Sequence, residues 1–220
     1  MKRWLDEAGF KHYCFISYPH GGVQMTDFAR RIGEAIRAEL GTRISNPSVF
    51  FDSEDIPPGA AWPTSLRLGL CTSISMVAIL APIYLEEDHE WCGREWAAMA
   101  SLGERRLPNN EIQPIIPVFF RKTELPRTAG ARQPIDLSRV SLKGRRFYST
   151  EEFRAAVLRI VDQIKAFDKK NEDVLPMMVT SNLGLGRVDQ AAERDAERLR
   201  ERPERLQRRV ADTALQLGQG

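Results

Sequence analysis

The run Met76-Val77-Ala78-Ile79-Leu80 constrains the fold more than any other segment of this chain. It is apolar at consecutive positions, so a strand built from it would be greasy on both faces. A strand of that kind suits the middle of a parallel sheet covered by helices above and below. Its surroundings agree. Tyr13-Cys14-Phe15-Ile16-Ser17 is a compact run of aromatic and β-branched residues and predicts a first strand. Val49-Phe50-Phe51 predicts a second, ended by Asp52, and Ile115-Ile116-Pro117-Val118-Phe119-Phe120 a further one, where Pro117 points to a position near a sheet edge.

Helical periodicity fills the intervals. Phe28, Ile32, Ala35, Ile36 and Leu40 recur at helical spacing within 25–40, with Arg30, Arg31, Glu34 and Arg37 on the other face. Helices are also expected from Trp62 to Cys71 and from Cys92 to Leu102. A last one runs from a Ser149 or Thr150 cap to Phe167, with Phe153, Val157, Ile160, Val161 and Ile164 as its buried stripe. Strand and helix alternating in this way predict right-handed crossovers and an α/β three-layer sandwich around a central parallel sheet, flavodoxin-like in class. Ligands in such folds sit beyond the carboxyl ends of the strands, where the strand order switches. The segments following Ser17, Phe51 and Leu80 should therefore surround one crevice.

The domain is expected over 12–168, after a short N-terminal extension, 1–11. Residues 169–187, with Pro176, Gly184 and Gly186, read as a linker. The tail 188–220 is rich in Ala, Glu and Arg, and Pro203 should divide it into two short helices. A solvated, charge-laced helix and a partner-binding helix both fit that composition.

Bulk properties exclude several classes of function. Thirty-two basic against 30 acidic residues leave a net charge of +2, without the basic excess of a protein that binds nucleic acid through bulk charge. The longest nearly apolar run, 74–85, falls well short of the roughly 20 residues a bilayer demands. Acids stand near the N-terminus where a secretion signal would be apolar, and the three cysteines, Cys14, Cys71 and Cys92, form no CxxC pair. A cytoplasmic chain with reduced thiols is the expectation. His89 and Cys92 are three apart, but no second pair stands at ligand spacing, so no metal is expected. Gly21-Gly22 alone is not a phosphate loop, and no bound cofactor is expected.

Four strings in order carry a resemblance. They are Phe15-Ile16-Ser17-Tyr18; Val49-Phe50-Phe51-Asp52 followed by Asp55-Ile56-Pro57-Pro58-Gly59 and Trp62; Ala81-Pro82-Ile83-Tyr84; and Trp91-Cys92-Gly93-Arg94-Glu95. Together they resemble the TIR (Toll/interleukin receptor) domain family in its bacterial form, over about three quarters of the chain. The family's usual Ser is Ala81 here, the connection 85–90 is long and acidic, and Pro19-His20-Gly21-Gly22 replaces the usual polar run.

The resemblance implies that Glu95 supports cleavage of the nicotinamide–ribose bond, with NAD+ as a substrate, and that Ser17, Tyr18, Asp52 and Trp91 contact it. A helix-start carboxylate is the plainer alternative for Glu95. Trp91 can equally be core packing, Asp52 can hold its own turn, and Cys92 reads as packing. The resemblance further implies homotypic TIR–TIR self-association, into an oligomer or filament, through a loop bearing Asp55, Pro57, Pro58, Gly59 and Trp62. An outside activator acting through the tail, a role in bacterial anti-phage immunity, and neither membrane nor direct nucleic-acid contact complete the expectation. The competing function is a non-catalytic adaptor.

Overall fold

The computed structural model describes residues 4–20, 22–55, 62–86, 89–107, 113–126, 132–140 and 144–180. Five parallel strands form one sheet: β1 (His12–Ser17), β2 (Val49–Phe50), β3 (Ser73–Leu80), β4 (Ile115–Phe119) and β5 (Ile135–Asp136), in the order β2-β1-β3-β4-β5. The helices are α1 (Trp4–Glu7), α2 (Val23–Gly41), α3 (Asp52–Asp55), α4 (Trp62–Cys71), α5 (Glu90–Arg106) and α6 (Glu151–Thr180), with 3₁₀ turns at Pro82–Leu85 and Gly144–Ser149. This strand order is the flavodoxin-like one. The chain leaves β1 for one edge and returns past it to β3, so the switch in order falls between β1 and β3.

Period-2 alternation divides the interior between the two faces. From β3, Val77 and Ile79 enter one core, with Ile32 and Ile36 of α2 and Ile160 and Ile164 of α6. Met76, Ala78 and Leu80 enter the other, with Leu66 and Leu70 of α4 and Trp96 and Met99 of α5. Every residue of β3 is buried, as a central strand between two helical layers requires. On the α4 side the rings of Phe15 and Phe50 stack at 5.0 Å. Helix α4 approaches them so closely that a Cβ placed on Gly69 would lie 2.5 Å from the Phe50 ring. Glycine at 69 is thus a packing requirement.

Two expectations need correction. The N-terminal segment is not an appendage: Leu5 and Phe10 are buried in the α2/α6 core, and the Trp4 indole donates to Asp168 Oδ1 at 3.0 Å. Nor does the last helix stop at Phe167. Thr150 caps it, its Oγ1 accepting from the Phe153 N–H at 3.3 Å, and it continues to Thr180 through most of the expected linker. Asp168 and Asn171 carry it onward because both are buried, Asp168 holding Trp4 and Lys165 while the Asn171 amide donates to the Phe167 carbonyl.

Pro117 does lie near a sheet edge, on β4, one strand in from the edge strand β5. The Phe120 N–H donates toward β3, to Leu80, while the Phe119 carbonyl accepts from Leu137 on the β5 side. By alternation the nitrogen of Pro117 faces β5, whose pairing begins only at Val118. The missing donor therefore costs no ladder bond. The two helices expected in the tail lie outside the described residues.

Candidate active site

The candidate side chains are placed by the ends of several elements. Ser17 closes β1 and Tyr18 follows it; Asp52 opens α3 directly after β2; Tyr84 sits in the 3₁₀ turn after β3; Trp91 and Glu95 lie one helical turn apart on α5. Because β1 and β3 are neighbours at the switch, these ends converge. They border a recess of about 170 Å³ lined by Tyr18, His20, Asp52, Trp91, Cys92 and Glu95, among others. The volume suits one heterocycle and part of a sugar rather than a whole dinucleotide.

Ser17 stands behind Glu95 and donates to its Oε2 at 2.6 Å, while the Tyr84 hydroxyl lies 2.7 Å from the same serine oxygen. On the opposite wall the Tyr18 hydroxyl donates to Asp52 Oδ1 at 3.1 Å, and His20 Nε2 lies 2.7 Å from Asp52 Oδ2. The Tyr18 ring stacks between His20 and Phe51. Arg94 covers the half-buried Trp91 at 5.1 Å from the ring centre.

The electrostatics follow from this enclosure. Burial pushes the Glu95 carboxyl up to about 8; Asp52 adds to the rise, while the Ser17 bond and His20 oppose it. His20 is raised above its ordinary value, chiefly by its bond to Asp52. Burial raises the Tyr84 hydroxyl and the Cys92 thiol well above their ordinary values, so Cys92 has no thiolate character at neutral pH. The helix-start alternative for Glu95 fails on position. Helix α5 begins at Glu90, which puts Glu95 in the second turn, past the reach of the terminal dipole, and the carboxyl faces the recess.

The structure thus gathers Glu95, Ser17, Tyr18, Asp52 and Trp91 in one place. The expected assembly residues are described only at the two ends of their loop. Asp55 closes α3, accepting the Phe51 N–H at 2.6 Å; Pro57, Pro58 and Gly59 lie outside the described residues, and Trp62 opens α4. Sequence reading missed two site residues. His20, given no role from the sequence, carries a site ion pair, and the family-like Tyr84 proves to be the buried partner of Ser17. Only the departure Pro19-His20 marked the first.

His20 also borders a wider, open cleft of about 520 Å³ lined by Gly22, Val23, Thr26, Asp27 and Arg30. Among the described residues no three His, Cys, Asp or Glu side chains cluster to hold a metal, and no helix is long and apolar enough to cross a membrane.

No curated protein matches the chain. The family model described as TIR domain matches residues 14–147, from the second half of β1 to the 3₁₀ turn before α6. That span is well over half of the 220 residues and contains every side chain just described, so the chain belongs to the TIR domain family.

Proposed function

We propose that this TIR domain cleaves NAD+ between nicotinamide and ribose, with Glu95 as its catalytic carboxylate. The observation that carries the reading is the placement of Glu95, enclosed in a solvent-reachable recess between Trp91 and Ser17 at the strand-order switch. Such a position costs a carboxylate its hydration, and a cationic ligand restores what burial removes.

Ordinary glycosidases need an acid for the leaving group and a second carboxylate for the sugar. Nicotinamide in NAD+ is already cationic and leaves as a neutral base, so no acid is required. As the C–N bond breaks, positive charge grows at the ribose carbon, where one anion stabilises it. Water attack then gives the hydrolysed product, and attack by a group within the nucleotide gives a cyclic one. The recess takes the nicotinamide riboside, and the wider cleft beyond His20 takes the remainder. In this reading Trp91 walls the nicotinamide while Tyr18 and Asp52 meet the ribose side.

Assembly of TIR domains on one another switches the activity on, in a bacterial anti-phage role, with an outside partner engaging the tail. Nicotinamide release from NAD+ by concentrated protein tests the proposal. Glu95→Gln should lower the rate on the order of a hundred- to a thousandfold. Wild-type protein that releases none under crowded, concentrated conditions would favour the non-catalytic adaptor.

A further inference from the structure

Three hydroxyl and carboxyl groups from three elements form a chain in the wall of the recess. Tyr84 Oη, Ser17 Oγ and Glu95 Oε2 are linked at 2.7 and 2.6 Å. Ser17 owns one proton, and so does Tyr84. Tyr84 has no exposed surface, and the Trp96 ring stands edge-on to it, so its hydroxyl cannot turn to water. If Ser17 gave its proton to Tyr84, the tyrosine's own proton would be left without an acceptor among the described residues, an arrangement that buried donors avoid. The favoured direction runs from Tyr84 to Ser17 to Glu95.

We propose that Tyr84 is a positioning residue for Glu95 that acts through Ser17, committing the single serine proton to Oε2 and holding the carboxylate in the productive orientation. This inference rests on Glu95 being the catalytic group, as proposed above. A donor that itself accepts a hydrogen bond is polarised and donates more strongly. Tyr84 thereby favours the ionised form of Glu95 against the burial that opposes it. The other groups facing Glu95 are Asp52 on α3, His20 after β1, and His89 and Cys92 at the start of α5. None of them touches Ser17 by a hydrogen bond, so the relay is separable from them.

The test titrates the Glu95 side-chain carboxyl by NMR in full-length protein carrying ¹³C-labelled glutamate, with Glu95→Gln assigning the resonance. Tyr84→Phe keeps the ring against Trp96 and removes only the hydroxyl. Its Glu95 midpoint should rise by about half to one pH unit, and Ser17→Ala should raise it further. In the Ser17→Ala background, Tyr84→Phe should add nothing, because its only route to Glu95 is gone. With NAD+, Tyr84→Phe should lower kcat on the order of three- to tenfold with KM little changed, and alkaline pH should recover most of the loss.

A wild-type titration curve in Tyr84→Phe overturns the relay, as does an equal shift with and without Ser17. The NMR measurement needs no turnover. A shifted midpoint in a protein that releases no nicotinamide would sink the proposed activity and leave the relay standing.

Discussion

His20 Nε2 stands 2.7 Å from Asp52 Oδ2, which ties a half-exposed imidazole to a buried carboxylate across the recess from Glu95. When protonated, His20 offsets the charge of Asp52 felt by Glu95, and this gives two variants opposite signs. His20→Ala leaves Asp52 with less compensation, so Glu95 should become harder to ionise and NAD+ cleavage at pH 7 should fall, by roughly tenfold for a one-unit shift. Asp52→Asn removes the repelling charge and should move the midpoint of the pH–rate profile downward. Profiles that move in the same direction for both variants would show that the pair acts otherwise.

If Glu95 carries the proposed cleavage, the pH dependence of that cleavage follows from this carboxyl. With its carboxyl held up to about 8, most free protein at pH 7 carries Glu95 neutral. If the ionised form is the active one, kcat/KM should rise about tenfold per pH unit below that value and level off above it. A profile flat from pH 6 to 9 would remove the ionised form from the mechanism.

Stability should run the other way. Glu95 binds its proton more tightly folded than unfolded, so the folded state loses stability as pH rises from the ordinary carboxylate range through about 8. His20, also raised, adds a loss of the same sign as pH passes its own titration. Wild type should melt lower at pH 8.5 than at pH 5.5, to the extent of about 1–3 kcal/mol for this partly open side chain. Glu95→Gln should flatten most of the slope and leave the part due to His20. Thermal melts of both proteins across that range decide it.

Gly69→Ala places a methyl group against the Phe50 ring, and should cost about 1–3 kcal/mol by overpacking. Phe50→Leu in the same chain should recover part of that loss, because the two sites share one contact. Additive losses in chemical denaturation would show that the ring already yields.

If assembly controls activity, dilution should reveal it. Specific activity should fall steeply as the concentration drops through the association range, and light scattering should record the loss of oligomer over the same range. Constant specific activity from a monomer at every concentration would detach catalysis from assembly.

Where one side chain suffices to reveal its surroundings, the sequence was readable. The doubly apolar run Met76–Leu80 is the central strand, and Phe153, Val157, Ile160, Val161 and Ile164 all face the core from α6. The strand-end argument pointed to the segments after Ser17, Phe51 and Leu80, and the family resemblance named Ser17, Tyr18, Asp52, Trp91 and Glu95 there. Illegible were the features that depend on a distant partner. Asp168 reads as the last residue before a linker until Trp4, from the N-terminal extension, is found bonded to it. Pro117 points near the edge, but a string of letters does not show that its nitrogen faces β5 and not β3. His20 drew no role because Asp52, more than thirty residues on, supplies its reason to be there.

The parallel switch topology has a consequence for the life of the chain before it is finished. The recess draws on the ends of β1, β2 and β3 and on α5, and β1 rests against β3, a strand made much later in synthesis. No fragment ending before α5 holds Glu95 next to Ser17. A nascent or truncated chain therefore carries the parts of the site without the site, and whatever chemistry Glu95 performs starts only once the polypeptide past Arg106 has emerged and docked.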